Sequence, residues 1–281
     1  ELQKGTIFFL GDSVTLGLDV SGDKIFPSIV SNELNYKGFN FGINGFSTDQ
    51  SYLILKDYIE KYKPEHVIYT FVYNDLEYNF KNYIGDDVKT GKPILDNNLE
   101  FVKKKFYQIG KTSKSEKVSL FLNSNFASYR LFALMREYTK FYKQQKSLKF
   151  YEDYAKDYQM NSKIKKKELE FLFKILNKMK NLCEENNSQF YVVKAFSLDS
   201  AKYATIKKKP STFFQYENYN NYINMKSKEN NINLVGVDNF ENLDLNKNNF
   251  FFNFRDIIYD GHYNELGHAY MAKTILSAIN K

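Results

Sequence analysis

The chain has 281 residues, 43% of them hydrophobic and 17% aromatic, the aromatics being 26 Phe and 23 Tyr; that is ample material for a buried core and excludes a disordered chain. Its 40 Lys and Arg against 33 Asp and Glu leave a net charge of +7, but only Arg130, Arg136 and Arg255 are arginines, and a lysine-dominated surface lacks the bidentate groups of nucleic-acid readers, so no nucleic-acid partner is expected. A single cysteine, Cys183, with three histidines excludes an internal disulfide and a zinc pattern, and no apolar run approaches the roughly 18 residues of a membrane span.

The first 75 residues alternate. An apolar run at 5–10 predicts a strand, followed by a loop and a helix over 26–35. "KGFNFGIN" (37–44) predicts a second strand. Ser47 or Thr48 can then cap a helix whose apolar positions, Tyr52, Leu53, Leu55, Tyr58, Ile59 and Tyr62, recur at helical spacing until Pro64 ends it. "HVIYTFVYN" (66–74) is too apolar to have a water-facing side, and strands buried on both faces between helices indicate a parallel sheet.

The alternation breaks from Leu76 to about Asn161. Residues 83–98 read as loop, 123–143 as a helix, and 144–168 as a Lys-, Tyr- and Gln-rich solvated helix or ordered loop. The segment 76–161 is expected to be a largely helical insertion or cap within a single domain spanning 1–281. Alternation resumes with a helix over 163–186, a strand at 188–196, a helix over 211–229, a strand at 232–238 and a last helix from Asn264 to Ile279. Cys183 falls near a helix end and reads as a small buried residue. Five strands with interleaved helices predict a flavodoxin-like, three-layer α/β/α fold with a five-stranded parallel sheet in the order 2-1-3-4-5. Sites in such sheets lie beyond the carboxyl ends of the strands, and Ser13, Gly45 and Asn74 follow strands one, two and three.

The first strand stops on "GDS", leaving Ser13 at its tip, and His262 lies in a glycine-containing loop before the last helix. A serine hydroxyl is a poor nucleophile until a neighbouring imidazole takes its proton. The imidazole in turn needs a carboxylate or carbonyl on its other nitrogen; Asp260, two residues earlier, is the nearest candidate. His268 should lie inside the last helix, and His66 begins the third strand at the end away from the site, a structural position.

"FLGDS", "NGFSTDQ", "YNDL" and "DGHYNELGH", in this order, resemble the four sequence blocks of the SGNH (GDSL-type) hydrolases. The resemblance covers roughly 1–80 and 250–281, with a match free of motifs over 163–245. It implies Ser13 as nucleophile and His262 as general base, with the second histidine, His268, packing or capping. It also implies an oxyanion hole made of the backbone N–H groups of Ser13 and Gly45 and the side-chain amide of Asn74. Gly45 has no Cβ to obstruct substrate, and an Asn amide stays a donor at any working pH. The sequence departs from the family pattern at Val14, where Leu is usual, and at Tyr259, where the family's Asp-x-x-His spacing would put the acid. Asp260 then orients His262, or a backbone carbonyl does, with Asp256 a distant third choice. The implied activity is serine-dependent ester hydrolysis through an acyl-enzyme, on short-chain acyl or acetyl esters of a small molecule or glycan, with no metal and no cofactor. The same residues serve an O-acyltransferase, and a non-catalytic glycan- or partner-binding member is the alternative from another class. The start at Glu1 in place of Met leans toward an exported chain, secreted or periplasmic.

Overall fold

In the computed structural model the described residues are 5–72, 74–80, 163–195, 217–236, 251–254 and 258–280, with shorter pieces between 83 and 139. Five strands form one sheet: β1 (Thr6–Gly11), β2 (Lys37–Gly42), β3 (His66–Phe71), β4 (Gln189–Lys194) and β5 (Asn233–Gly236). All neighbours are parallel, in the order 2-1-3-4-5, as the alternation predicts.

Side chains alternate across the sheet, so each strand feeds two cores. Phe8 and Leu10 of β1, Val67, Tyr69 and Phe71 of β3, and Phe190 and Val192 of β4 face one side. They meet Leu55 and Ile59 of α3 (Thr48–Tyr62) and Leu172, Ile175 and Met179 of α5 (Lys163–Glu185). Ile7, Phe9, Ile68 and Val193 face the other side. There they meet Phe26 and Val30 of α2 (Phe26–Leu34) and Met271 and Ile275 of α7 (Glu265–Ile279). Burial of Cys183, 0% exposed in α5, raises its thiol pKa. Three further helices with bounds among the described residues are α1 (Ser13–Leu16), α4 (Asn74–Tyr78) and α6 (Glu217–Glu229).

Helix ends follow local chemistry. Ser47 and Gln50 form the capping box that starts α3, and Lys63 closes it in a left-handed conformation before Pro64. Asn264 caps α7 by accepting the Gly267 N–H at 3.1 Å. His66, at the amino end of β3, is buried between Tyr36 and Tyr191.

Two expectations are corrected. Residues 83–98 are not all loop: Tyr83–Ile84 pairs antiparallel with Thr90–Gly91, and Ile94–Leu95 with Phe101–Val102. Strands of two residues are too short to show a period in sequence. His262 is not in a loop either. It lies on a strand, Ile258–Tyr263, that pairs antiparallel with Phe251–Phe254; Gly261 and the polar residues Arg255 and Asp256 hide this pairing in the sequence. The expected helix over 123–143 is partly described: the described positions from Phe121 to Thr139 are helical except Phe126. Residues 144–162 lie outside the described residues, as do 211–216 of the expected 211–229 helix. Leu76, Leu95 and Leu99 bury into the α3/α5 core, and Phe80 packs on Phe171 at 5.0 Å.

The strand ends nearest the site are locked together. Asn40 donates to the Thr15 carbonyl at 2.9 Å and accepts the Gly42 N–H at 2.9 Å. A Cβ on Gly42 would lie 2.2 Å from the Leu16 backbone nitrogen, so only glycine lets α1 lie against β2. Gly42→Ala is expected to lower stability by about 3 kcal/mol through this overlap, read as a shift in the urea midpoint at unchanged slope.

Candidate active site

β1 runs from 0%-exposed Leu10 straight into α1, and Asp12 caps that short helix by accepting the Val14 N–H at 2.9 Å. This turn leaves Ser13 as the first helical residue, where a backbone N–H has no partner within the helix. Ser13 is 8% exposed. Its Oγ lies 2.7 Å from Nε2 of His262, 249 residues away in sequence. With the imidazole proton on Nδ1, Nε2 accepts the serine O–H.

His262 is carried by the hairpin strand and held from below by α7. His268 of that helix is 1% exposed, stacks on Phe26 at 5.7 Å and accepts the Phe26 N–H through Nδ1 at 3.2 Å. It therefore both packs and caps α2. Burial, with a smaller effect of the His262 charge, pushes its pKa down to about 4. Lys24 and Glu265 add an exposed ion pair at 2.7 Å between the same two parts of the chain.

Gly45 lies beyond β2 in a turn closed by Phe46 N–H to the Ile43 carbonyl at 3.0 Å, with φ +77°, a conformation that favours glycine. Asn74 opens α4 just after β3, and its side-chain amide donates to the Asp12 carboxylate. Registers of Gly11 with Gly42 and Leu10 with Tyr69 bring the ends of β1, β2 and β3 level, so Ser13, Gly45 and Asn74 share one sheet edge. Asp260 lies on the His262 strand two residues earlier; its side chain is outside the described part, and Asp256 is outside the described residues.

A second set of polar groups underlies the site and is not among the sequence candidates. Asp75 is 1% exposed and accepts the Tyr69 hydroxyl at 2.8 Å and the Val72 N–H at 2.9 Å. Tyr69 Oη also bonds Thr48 Oγ1 at 2.8 Å, which accepts from Asn79 at 3.2 Å. The Asn79 side-chain Oδ1 accepts the Asp49 N–H, and the Asp49 carboxylate accepts from Ser47 Oγ at 2.6 Å. A tyrosine in the middle of the buried strand "HVIYTF" is the one sign the sequence offers. Burial first, then the charges of Asp12 and Asp49, raise the Asp75 pKa far above the ordinary carboxylate range. Burial likewise raises Asp12 to about 6, against the opposing effects of the Val14 N–H, the His262 charge and the Asn74 amide. Among the described residues no group of three or more His, Cys, Asp or Glu is arranged to hold a metal ion, and no helix is long and apolar enough to cross a membrane.

No family model and no curated protein matches the chain by sequence. Solved structures do match. An acetyl xylan esterase superposes with a TM-score of 0.50 at 15% identity, covering 98% of this chain and 99% of its own. The esterase EstA from Pseudoalteromonas gives 0.48 at 10% identity, over 99% and 97% of the two chains. A lipase/acylhydrolase from Enterococcus faecalis gives 0.46 at 11% identity, over 98% and 95%. What the chain shares with the acetyl xylan esterase is the fold, here the five-stranded parallel sheet in the order 2-1-3-4-5 with helices on both faces.

His268 gives the site's support a pH dependence. Because the fold depresses its pKa from 6.5 to about 4, the unfolded chain binds this proton more readily, and stability is lost as pH falls through that window. Wild type is expected to lose about 3 kcal/mol more than His268→Gln between pH 7 and pH 4, measured by urea unfolding at both values.

Proposed function

We propose that the protein is a serine-dependent ester hydrolase that works through an acyl-enzyme. The observation that carries this reading is the 2.7 Å contact between Ser13 Oγ and His262 Nε2, a nucleophile and base in hydrogen-bond reach. In the first step Oγ attacks the ester carbonyl while His262 Nε2 takes the serine proton. The tetrahedral oxyanion is held by the N–H groups of Ser13 and Gly45 and by the Asn74 amide, each such donor worth about 3 kcal/mol in the transition state. His262 returns the proton to the departing alcohol. Water then attacks the acyl-enzyme with His262 again as base and frees the acid. Asp260 orients His262 and stabilises the imidazolium. The segment 76–161 is an insertion within one domain over 1–281, a reading supported by the burial of Leu95 and Leu99 in the core of that domain, and it shapes the acyl or alcohol pocket.

The substrate class is a short-chain acyl ester of a small alcohol or sugar. A relative in fold carries the name acetyl xylan esterase, so acetyl esters with and without a sugar alcohol are the first substrates to test. Ser13→Ala is expected to abolish hydrolysis of an activated acetate ester with circular dichroism unchanged; turnover equal to wild type would sink the assignment. Asp260→Asn should lower kcat at least tenfold if the carboxylate orients His262, and a smaller loss would hand that role to a backbone carbonyl.

A further inference from the structure

Asp12 lies beside the nucleophile yet has no part in the proton transfers above. It is 3% exposed and fixed by the Val14 N–H at 2.9 Å. Its carboxylate also receives the side-chain amide of Asn74. At the other end of that amide, Asn74 Oδ1 is buried with no hydrogen-bond partner among the described residues. The two ends of an Asn amide are nearly equal in shape but opposite in hydrogen bonding. A buried carbonyl without a donor is costly, and any donor nearby would favour turning the amide around. An ionised carboxylate accepts only, so it can face the NH₂ end and never Oδ1.

We propose that Asp12 is a positioning residue for Asn74: its carboxylate takes one N–H of the amide, keeps the amide from turning over, and so leaves the second N–H for the oxyanion. This rests on the ester-hydrolase reading of the site. It also makes the site respond to acid. Asn74 of α4 bonds the Asp12 carboxylate, and the charged or titratable groups that act on it are Asp75 of α4, Tyr69 of β3 and His262 of the hairpin. The Asp75 charge opposes ionisation of Asp12, and the His262 charge favours it. Once protonated, Asp12 carries an O–H that can donate to Asn74 Oδ1. The amide then turns, its carbonyl is satisfied, and a C=O replaces the N–H where the oxyanion forms. The expected signature is a loss of kcat with little change in KM, because the substrate carbonyl gains most from this donor only in the transition state.

Two measurements on the full chain test this. In the ¹⁵N-labelled protein the Asn74 side-chain amide resonances should move with pH about a midpoint near 6 and stay flat in Asp12→Asn. This reading needs no turnover, so it decides the role of Asp12 even if the protein hydrolyses no ester, an outcome that would count against the proposed function alone. The second is a double-mutant cycle at pH 8 with an activated acetate ester. Asp12→Asn should lower kcat at least tenfold with KM within twofold, but less than threefold further in an Asn74→Ala background. Asp12→Ser, which keeps a capping oxygen for α1, should behave the same way and guards against a folding defect. Equal losses in both backgrounds, or an Asn74 amide indifferent to pH between 5 and 8, would overturn the proposal.

Discussion

The contact between Ser13 and His262 joins the first strand–helix unit to the last one, and nearly every feature of the site depends on keeping these two chain segments in register. A hydrogen bond of 2.7 Å cannot hold them by itself, since its net contribution is on the order of 1 kcal/mol. The register comes from the packing of α7 against α2 across one face of the sheet, with Phe26, Val30, Met271 and Ile275 in a common core. His268 converts that packing into a fixed position. Its Nδ1 on the Phe26 N–H sets how far α7 can slide, and the hairpin strand bearing His262 leads directly into that helix. Burying a neutral imidazole for this purpose makes the clamp one that acid opens.

On the opposite face the polar groups have another role. Thr48, Tyr69, Asp75 and Asn79 bond across α3, β3 and α4. A buried network of this kind is costly unless every member is satisfied, and once satisfied it permits one arrangement of the elements it joins. Here it fixes the start of α4, and so the position of Asn74, relative to the capping box that follows Gly45. The two faces divide the work: apolar packing and one histidine place His262, while hydrogen bonds place the loops that carry Gly45 and Asn74.

Much of the fold was legible because strands covered on both faces need continuous apolar runs. "IFFL", "HVIYTF" and "FYVV" announce themselves, and Ser47 or Thr48 marks the start of α3, the cap role falling to Ser47 in the structure. The hairpin was not legible: Arg255, Asp256 and Gly261 interrupt its aromatic residues, so neither a period of two nor an apolar run survives. At the site, Ser13 and His262 stood out by chemical type, and the structure brings those two together. Asp12, Tyr69 and Asp75 did not. A carboxylate after glycine reads as a turn, and a buried hydrogen bond between elements distant in sequence leaves no local pattern. A partner for the other nitrogen of His262 was less legible, since the Asp-x-x-His spacing of the resemblance falls on Tyr259 and leaves Asp260, the nearest candidate, one place away.

Cys183 offers a practical consequence of the α5 core. It is the only thiol in the chain, has no exposed surface, and is held by burial in its protonated, unreactive form. Reaction requires the thiolate, so a maleimide or disulfide reagent can reach it only after α5 leaves the sheet. The chain thereby contains its own opening meter: the rate of thiol modification reports how often the α3/α5 face comes apart. With Ser13 as the nucleophile we propose, a hydroxyl-directed probe there would report on the opposite state, the closed molecule. The two chemistries can be run together on one sample, each counting a population that the other does not see.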